Sequence, residues 1–387
     1  MRDITDQIEV APGEAIDIGM LFSATGALAT TEQSVQQGAV LAVEQVNARG
    51  GVSGRPLRLL ASDYGSDPAT AGRCARELVQ RDGVSVLLGG YTSASRVTIS
   101  PAVDPVEGLY LFPTYYEGLE SDPATAYLGA VPNQYLEDYV AWILGELGSR
   151  IYVVGSDYVY PRTIGAILRG LVRNDSAEIV AERYLPIGAS DMSRIAREIV
   201  DLAPDVILCN LVGVDSVGAF YRAYAEAGLS PDALPIAATV TSELEISEVG
   251  AEYVAGHYMV STYFSSLDEP ANREYVAALE AHFGGEAVPH VTQVGAYNAV
   301  WVLADALERS GGIPGADLRE AIVGARFDGN PEGMPVVIER NRHSVHPAYI
   351  GRATEAGYYE VIASFEPVEP DPYPPSLVRS AKRPRDD

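Results

Sequence analysis

The chain has almost no lysine. Among its 387 residues only Lys382 carries an ε-ammonium, so nearly all of the 27 basic side chains are arginine. Against them stand 53 acidic residues, for a formal net charge of −26. Nothing on such a surface can neutralise a run of phosphates, which excludes a nucleic-acid-binding face. Cysteine is scarce as well. Cys74 falls in a predicted helix and Cys209 in a predicted strand far along the chain, and both read as core residues rather than a disulfide. No stretch approaches the ~20 consecutive apolar residues that cross a bilayer. The N-terminus, MRDITDQIEVAPGEAIDIGMLF, has no apolar segment after a basic start. These absences lead us to expect a cytoplasmic protein, the alternative being a periplasmic or extracellular one whose signal peptide has been removed.

Catalytic signatures are also missing. The chain contains no GxxxxGK(S/T) phosphate loop, no GxGxxG after the first strand, no CxxC, no HExxH and no GxSxG elbow. The five histidines, His257, His282, His290, His343 and His346, are scattered. The spacing of His343 and His346 suits a metal, but both sit in a predicted hairpin without cysteines nearby and read as surface residues. Asp157-Tyr158 and Ser93 can be imagined as a base and a nucleophile, yet no histidine or lysine in a comparable loop completes the pair. The expectation is a protein that is not an enzyme and holds no cofactor and no metal.

What is present is a regular alternation of apolar strands and helices in a chain that is 47% hydrophobic and long enough for two domains. Strands are predicted at Ile16 to Phe22, Leu57 to Ser62, Val84 to Leu88 and Leu109 to Phe112. Helices fall between them, one capped by Thr30 or Thr31 and another begun by Asp67-Pro68. That is the βαβαβαβ pattern of a parallel sheet covered on both faces. After Val131-Pro132-Asn133 the alternation resumes with strands at Ile151 to Val154, Ile179 to Tyr184, Val206 to Leu211 and Pro235 to Thr239. A strand from Tyr258 and two helices, Asn272 to Phe283 and Val291 to Arg309, precede three antiparallel strands at Val336 to Glu339, Ala348 to Arg352 and Tyr358 to Ile362. The proline-rich end, residues 367–387, reads as extended or disordered.

Hydroxyls and aromatics recur where these strands end. Tyr91 and Ser93 follow one strand, Thr114 and Tyr115 the next, and Tyr158 and Tyr160 a third. Asp215 lies in the Gly213-Val214-Asp215-Ser216 loop, and Thr241 and Glu243 follow the strand from Pro235. With 23 tyrosines against 7 phenylalanines, any one of these tyrosines taken singly is a packing residue with its hydroxyl in water. The same placement in both predicted units points instead to a cleft that closes over a small polar ligand.

The strings GMLFSATG, LAVEQVNARGGVSGRPL, GGYTSASR, YEGLESDP, Ala130-Val131-Pro132-Asn133-Gln134 and VGSDYVYPRT together resemble type I periplasmic-binding-type proteins, from about Asp17 to Pro374. The resemblance is closest to the branch of urea and short-chain amide binders and of the cytoplasmic negative regulator of the aliphatic amidase operon. It implies two doubly wound, Rossmann-like α/β lobes around a ligand cleft, joined by three crossovers. One lobe would take 16–131 with 262–335 and the other 132–261 with 336–366. Carried over, Tyr91 and Ser93 match the first-lobe ligand pair, with the serine bonding the amide group. Thr114 matches the hydroxyl from the next strand end, and Tyr158 and Tyr160 the tyrosines that close from the second lobe. Phe112 replaces a tyrosine and Tyr115 a proline, which changes the size and polarity the cleft accepts. Glu243 is a candidate for a ligand ammonium. The implied function is a non-catalytic amide sensor with an RNA-binding antiterminator as partner. The alternative is the solute-binding component of an ABC importer for urea, amides or branched-chain amino acids, partnered by a permease. A homo-oligomer stays open under either reading.

Overall fold

Apolar runs that end on glycine or small polar residues set two sheets. The protein is described by a computed structural model over residues 15–172, 177–285, 287–312 and 315–373. The first sheet holds β1 (Ile16–Leu21), β2 (Leu57–Ser62), β3 (Val86–Gly89), β4 (Leu109–Phe112) and β5 (Thr125–Tyr127). Its order is β2-β1-β3-β4-β5, with every pair parallel. The second sheet begins with β6 (Arg150–Ser156), β7 (Glu178–Leu185), β8 (Val206–Asn210), β9 (Ile236–Ala238) and β10 (Tyr258–Ser261). A small hairpin, β11 (Arg326–Phe327) with β12 (Val336–Val337), comes next. The chain then adds β13 (Ala348–Ala353) and β14 (Tyr359–Phe365) antiparallel at the edge, giving β14-β13-β10-β9-β8-β6-β7. The molecule is thus the expected two-lobed α/β fold. Strand order reverses between β1 and β3 in one sheet and between β6 and β8 in the other, the places where open α/β sheets leave a crevice for ligands.

The lobes are not contiguous in sequence. Helix Val291–Arg309, which follows the second sheet, packs along helix Ala29–Ala48 of the first lobe. A Cβ on Gly38 would stand 2.1 Å from the Gln293 carbonyl oxygen, so only glycine admits this approach. The helix over 29–48 starts one turn before the expected threonine cap. Its N-cap is Leu28, whose N–H is met by Ser66 Oγ at 3.0 Å from a neighbouring turn. Asp67 does cap the next helix, accepting from the Thr70 N–H, with Pro68 at its first position.

Two sequence expectations change here. Residues 336–344, assigned to the second lobe, remain with the first. Val336 and Val337 pair with β11, and the Ser344 N–H bonds the Tyr127 carbonyl at the end of β5. The chain joins the second sheet only at β13. His343 and His346 are also buried rather than superficial. The His343 ring stacks 4.3 Å from Tyr127, and its Nε2 lies 2.6 Å from the Tyr116 hydroxyl. His346 Nδ1 lies 2.8 Å from Glu332 Oε2, and its Nε2 lies 2.6 Å from Ser344 Oγ. Among the described residues no cluster of His, Cys, Asp and Glu could hold a metal ion. Cys74 and Cys209 are free and buried, one in each lobe.

Of the proline-rich end, residues 366–373 lie extended against the first lobe. The Leu119 N–H bonds the Pro372 carbonyl at 2.6 Å, and the Asn133 and Asn341 amides hold the carbonyls of Glu369 and Pro370. Residues 374–387 fall outside the described residues.

Candidate functional site

In the first lobe, β3 ends on Gly89, whose φ of +127° and close approach to the Leu21 carbonyl oxygen (2.2 Å for a Cβ) demand glycine. This turn delivers Tyr91 and starts helix Ser93–Ile99, capped by Thr92, which accepts from the Ser95 N–H. Ser93 is 3% exposed and donates its hydroxyl proton to Glu117 Oε2 at 2.5 Å. Glu117 Oε1 in turn accepts from Arg96 Nη2 at 3.1 Å. Arg96 also reaches Glu120 Oε2 at 3.0 Å and lies 4.3 Å above the Tyr116 ring. Burial would lower the Arg96 pKa, but Glu117 and Glu120 outweigh it and hold the guanidinium above its ordinary value. Beyond the end of β4, Thr114 is 4% exposed and its Oγ1 has no hydrogen-bond partner among the described residues.

In the second lobe, β6 ends at Ser156, whose Oγ accepts from the Val212 N–H at 3.0 Å and so ties two strand ends together. Tyr160 lies in the first turn of helix Val159–Val172 and is buried, while Tyr158 just before it is half-buried. The Tyr160 hydroxyl donates to Thr239 Oγ1 at 3.3 Å, and Thr239 donates to Asn210 Oδ1 at 2.5 Å. Tyr135, from the first crossover, completes the chain at 3.1 Å from the Tyr160 oxygen. Burial pushes the Tyr160 phenol up to about 12, and Tyr91, Tyr115 and Tyr158 well above their ordinary value. All four therefore stay neutral near pH 7.

The two jaws meet. The Tyr115 ring lies 5.8 Å from that of Tyr160, and Tyr158 lies 6.4 Å from Tyr160 on the other side. A Cβ on Gly213 of the second lobe would stand 3.3 Å from Leu28 Cδ2 of the first. Behind these rings a slot of about 10 Å³ is lined by Tyr115, Tyr135, Thr239, Met259, Thr262 and Val291. It has room for about one water molecule. The two lobes are thus in contact beside the crossovers.

Of the residues expected at the site, the structure brings Tyr115 and Tyr158 into ring contact with Tyr160, and places Tyr91, Ser93 and Thr114 just past the ends of β3 and β4 in the first lobe. Phe112 is elsewhere. It packs in the first-lobe core against Tyr110 and Tyr116, with Arg96 5.1 Å over its ring. Asp215 is exposed at the start of helix Val214–Glu226. Thr241 is wholly buried, and its carbonyl accepts from the Tyr359 hydroxyl within the second lobe. Glu243 Oε1 accepts from the Ser265 N–H at 2.8 Å and serves the second crossover. Asp157 is exposed and bonded to Arg162, on the opposite lobe from Ser93, so the imagined base and nucleophile do not meet.

Sequence reasoning missed Glu117, Arg96, Tyr135, Thr239 and Glu245. Glu245 Oε2 accepts from both the N–H and the Oγ of Ser242, forming a capping box. Burial pushes both Glu243 and Glu245 up to about 7, against the pull of their hydrogen bonds. Glu117 was already visible inside the string Tyr116-Glu117-Gly118-Leu119-Glu120, but nothing local reveals that Arg96 and Ser93 converge on it.

Residues 16–379, nearly the whole chain, match the family described as Periplasmic binding protein domain, and the chain belongs to that family. Leu/Ile/Val-binding protein homolog 7 of Brucella melitensis is 24% identical over 373 residues, 90% of this chain and 91% of the relative. Two solved structures share the fold. One is a solute binding protein of an ABC transporter from Rhodopseudomonas palustris in complex with 3,4-dihydroxybenzoic acid (TM-score 0.82, 20% identity, 92% of this chain and 98% of that one). The other is the branched-chain amino acid transporter substrate binding protein LivJ from Streptococcus pneumoniae in complex with isoleucine (TM-score 0.80, 20% identity, 92% and 100%). Membership of a periplasmic, ligand-binding family overturns the cytoplasmic placement expected from the N-terminus.

Proposed function

We propose that this periplasmic binding protein family member is the solute-binding component of an ABC importer, closing its two lobes on a small polar solute. The supporting observation is the contact of Tyr115 from one lobe with Tyr160, beside Tyr158, from the other, at strand ends that also carry Tyr91, Ser93 and Thr114. Hydroxyls that are buried but incompletely paired, such as that of Thr114, suit a ligand that completes their hydrogen bonds. Aromatic walls on both lobes make closure depend on what lies between them. The names of these three proteins are those of binding and transport proteins, which supports an ABC permease over an RNA-binding antiterminator as partner. The amide-sensor reading uses the same cleft, but nothing in the relatives speaks for it.

The resemblance to amide and urea binders, together with the names of the relatives, supports one ligand class to test first: a short-chain amide, urea or an amino acid. Thermal melts in the presence of urea, acetamide, butyramide and leucine test it. A true ligand binds the folded state alone and raises the melting temperature by mass action. A melting temperature that stays flat with all four removes this ligand class.

A further inference from the structure

The hydrogen-bond polarity of the first-lobe jaw is set by a buried pair that the ligand does not supply. Ser93 has one proton, and it is committed to Glu117 Oε2 at 2.5 Å. Glu117 is held in turn by Arg96, and both side chains are almost completely buried. The remaining reach of Arg96 goes to Glu120 and to the rings of Tyr116 and Phe112, and its Nη1 is buried with no hydrogen-bond partner among the described residues. One guanidinium between two carboxylates leaves this cluster with a net negative charge. Ser93 ties this charge to the turn after β3 that also carries Tyr91.

We propose that Glu117, fixed by Arg96, is the specificity-determining residue of the cleft: it turns Ser93 into an acceptor and so selects solutes that present an N–H donor over carboxylates. The inference rests on the solute-binding reading above. An amide NH2 donates to the free lone pair of Ser93 while its carbonyl takes the uncommitted proton of Thr114. A carboxylate brings only acceptors. To receive the Ser93 proton it must leave Glu117 Oε2 buried and unpaired beside a second negative charge. The solutes named for the neighbouring structures, a benzoic acid and isoleucine, both carry a carboxylate. This chain would therefore differ from them in its choice of solute.

Calorimetric titration of the full chain at neutral pH with isosteric pairs tests this: butyramide with butyrate, benzamide with benzoate, and leucinamide with leucine. The amide member of a bound pair is expected to bind at least about tenfold more tightly. In Glu117→Gln the new side-chain amide can donate to Ser93 and return its proton to the cleft, so the ratio falls toward one or inverts. In Ser93→Ala the ratio also collapses, while the Glu117–Arg96 pair stays intact and guards against a folding defect. Because the ratio compares two ligands on one protein, a loss of general stability does not move it. A carboxylate that binds the wild-type chain as tightly as its amide overturns the inference and leaves the solute-binding reading standing. So does an unchanged ratio in both variants. No heat from either member of any pair removes the small-solute reading itself, and the inference with it.

Discussion

Thr114 and Ser93 follow adjacent strands of the first lobe and have opposite hydrogen-bonding states. Ser93 commits its proton to Glu117, whereas Thr114 is buried with its hydroxyl unused. A buried polar group without a partner costs free energy that a ligand recovers on binding. Thr114→Val keeps the shape and removes the hydroxyl, so it should weaken solute binding by roughly 1–3 kcal/mol. It should leave the ligand-free melting temperature unchanged or slightly raised. Titration of the tightest solute from the melting screen measures the first effect, and equal affinity in both proteins would take Thr114 out of the site. Both residues were legible in the sequence because each follows an apolar strand within a few residues, where a parallel sheet presents its ligands. Phe112 was misjudged for an equally local reason. Strand alternation puts Tyr110 and Phe112 on the face that packs with Tyr116 and Tyr127, inside the lobe. Glu117 could not be read at all, since its role depends on Arg96, 21 residues earlier in the chain and brought back only by folding.

Secondary-structure elements carry signals in proportion to how local their causes are. Helix Val291–Arg309 was readable to its exact ends because apolar spacing over five turns leaves little choice. The hairpin of β11 and β12 has two residues per strand and docks on helix Val291–Arg309, where Asp305 accepts from the Arg326 N–H, while the segment after it is held by a distant partner, Tyr127. No pattern in residues 336–344 announces that. Helix Glu243–Val249 shows a further coupling, between a cap and protonation. Glu245 closes its capping box from a wholly buried position, and burial pushes its pKa from 4.5 up to about 7. Between those two values the folded chain holds a proton that the unfolded chain releases. The stabilising effect of that proton is complete below pH 4.5 and is lost as pH rises through about 7. The loss from this one group is about 3 kcal/mol. Glu245→Gln keeps a neutral side chain that can still cap. Urea denaturation at pH 5 and pH 8 should therefore show a smaller fall in stability for the variant than for the wild type. The same fall in both would mean that Glu245 does not titrate in this range.

At the scale of the whole molecule, opening and closing must be absorbed where the chain passes between lobes, and a buried polar cluster joins those passages. Thr262, just after β10, donates to Glu332 Oε1 at 2.7 Å. His346, just before β13, lies on Glu332 Oε2, which also receives Asn330 Nδ2 at 3.1 Å. Ser344 bonds His346 through its side chain, and its carbonyl accepts from Gln134 Nε2 of the first crossover at 3.1 Å. One carboxylate thus holds the second and third passages directly and the first through His346 and Ser344. The sequence showed His346 only as one of two histidines in a predicted hairpin, because Glu332, its charged partner, is 14 residues away. Glu332→Ala would leave Thr262, Asn330 and His346 without their shared acceptor in a site closed to water. The expected cost is about 3 kcal/mol or more. Glu332→Gln, which keeps one acceptor oxygen, should lose less. Guanidinium denaturation of the ligand-free chain gives both values. Small-angle scattering of the same variants should show a larger radius of gyration for Glu332→Ala if the cluster also restrains the angle between the lobes. A Glu332→Ala chain as stable and as compact as the wild type would mean that the three passages hold their geometry through backbone packing alone.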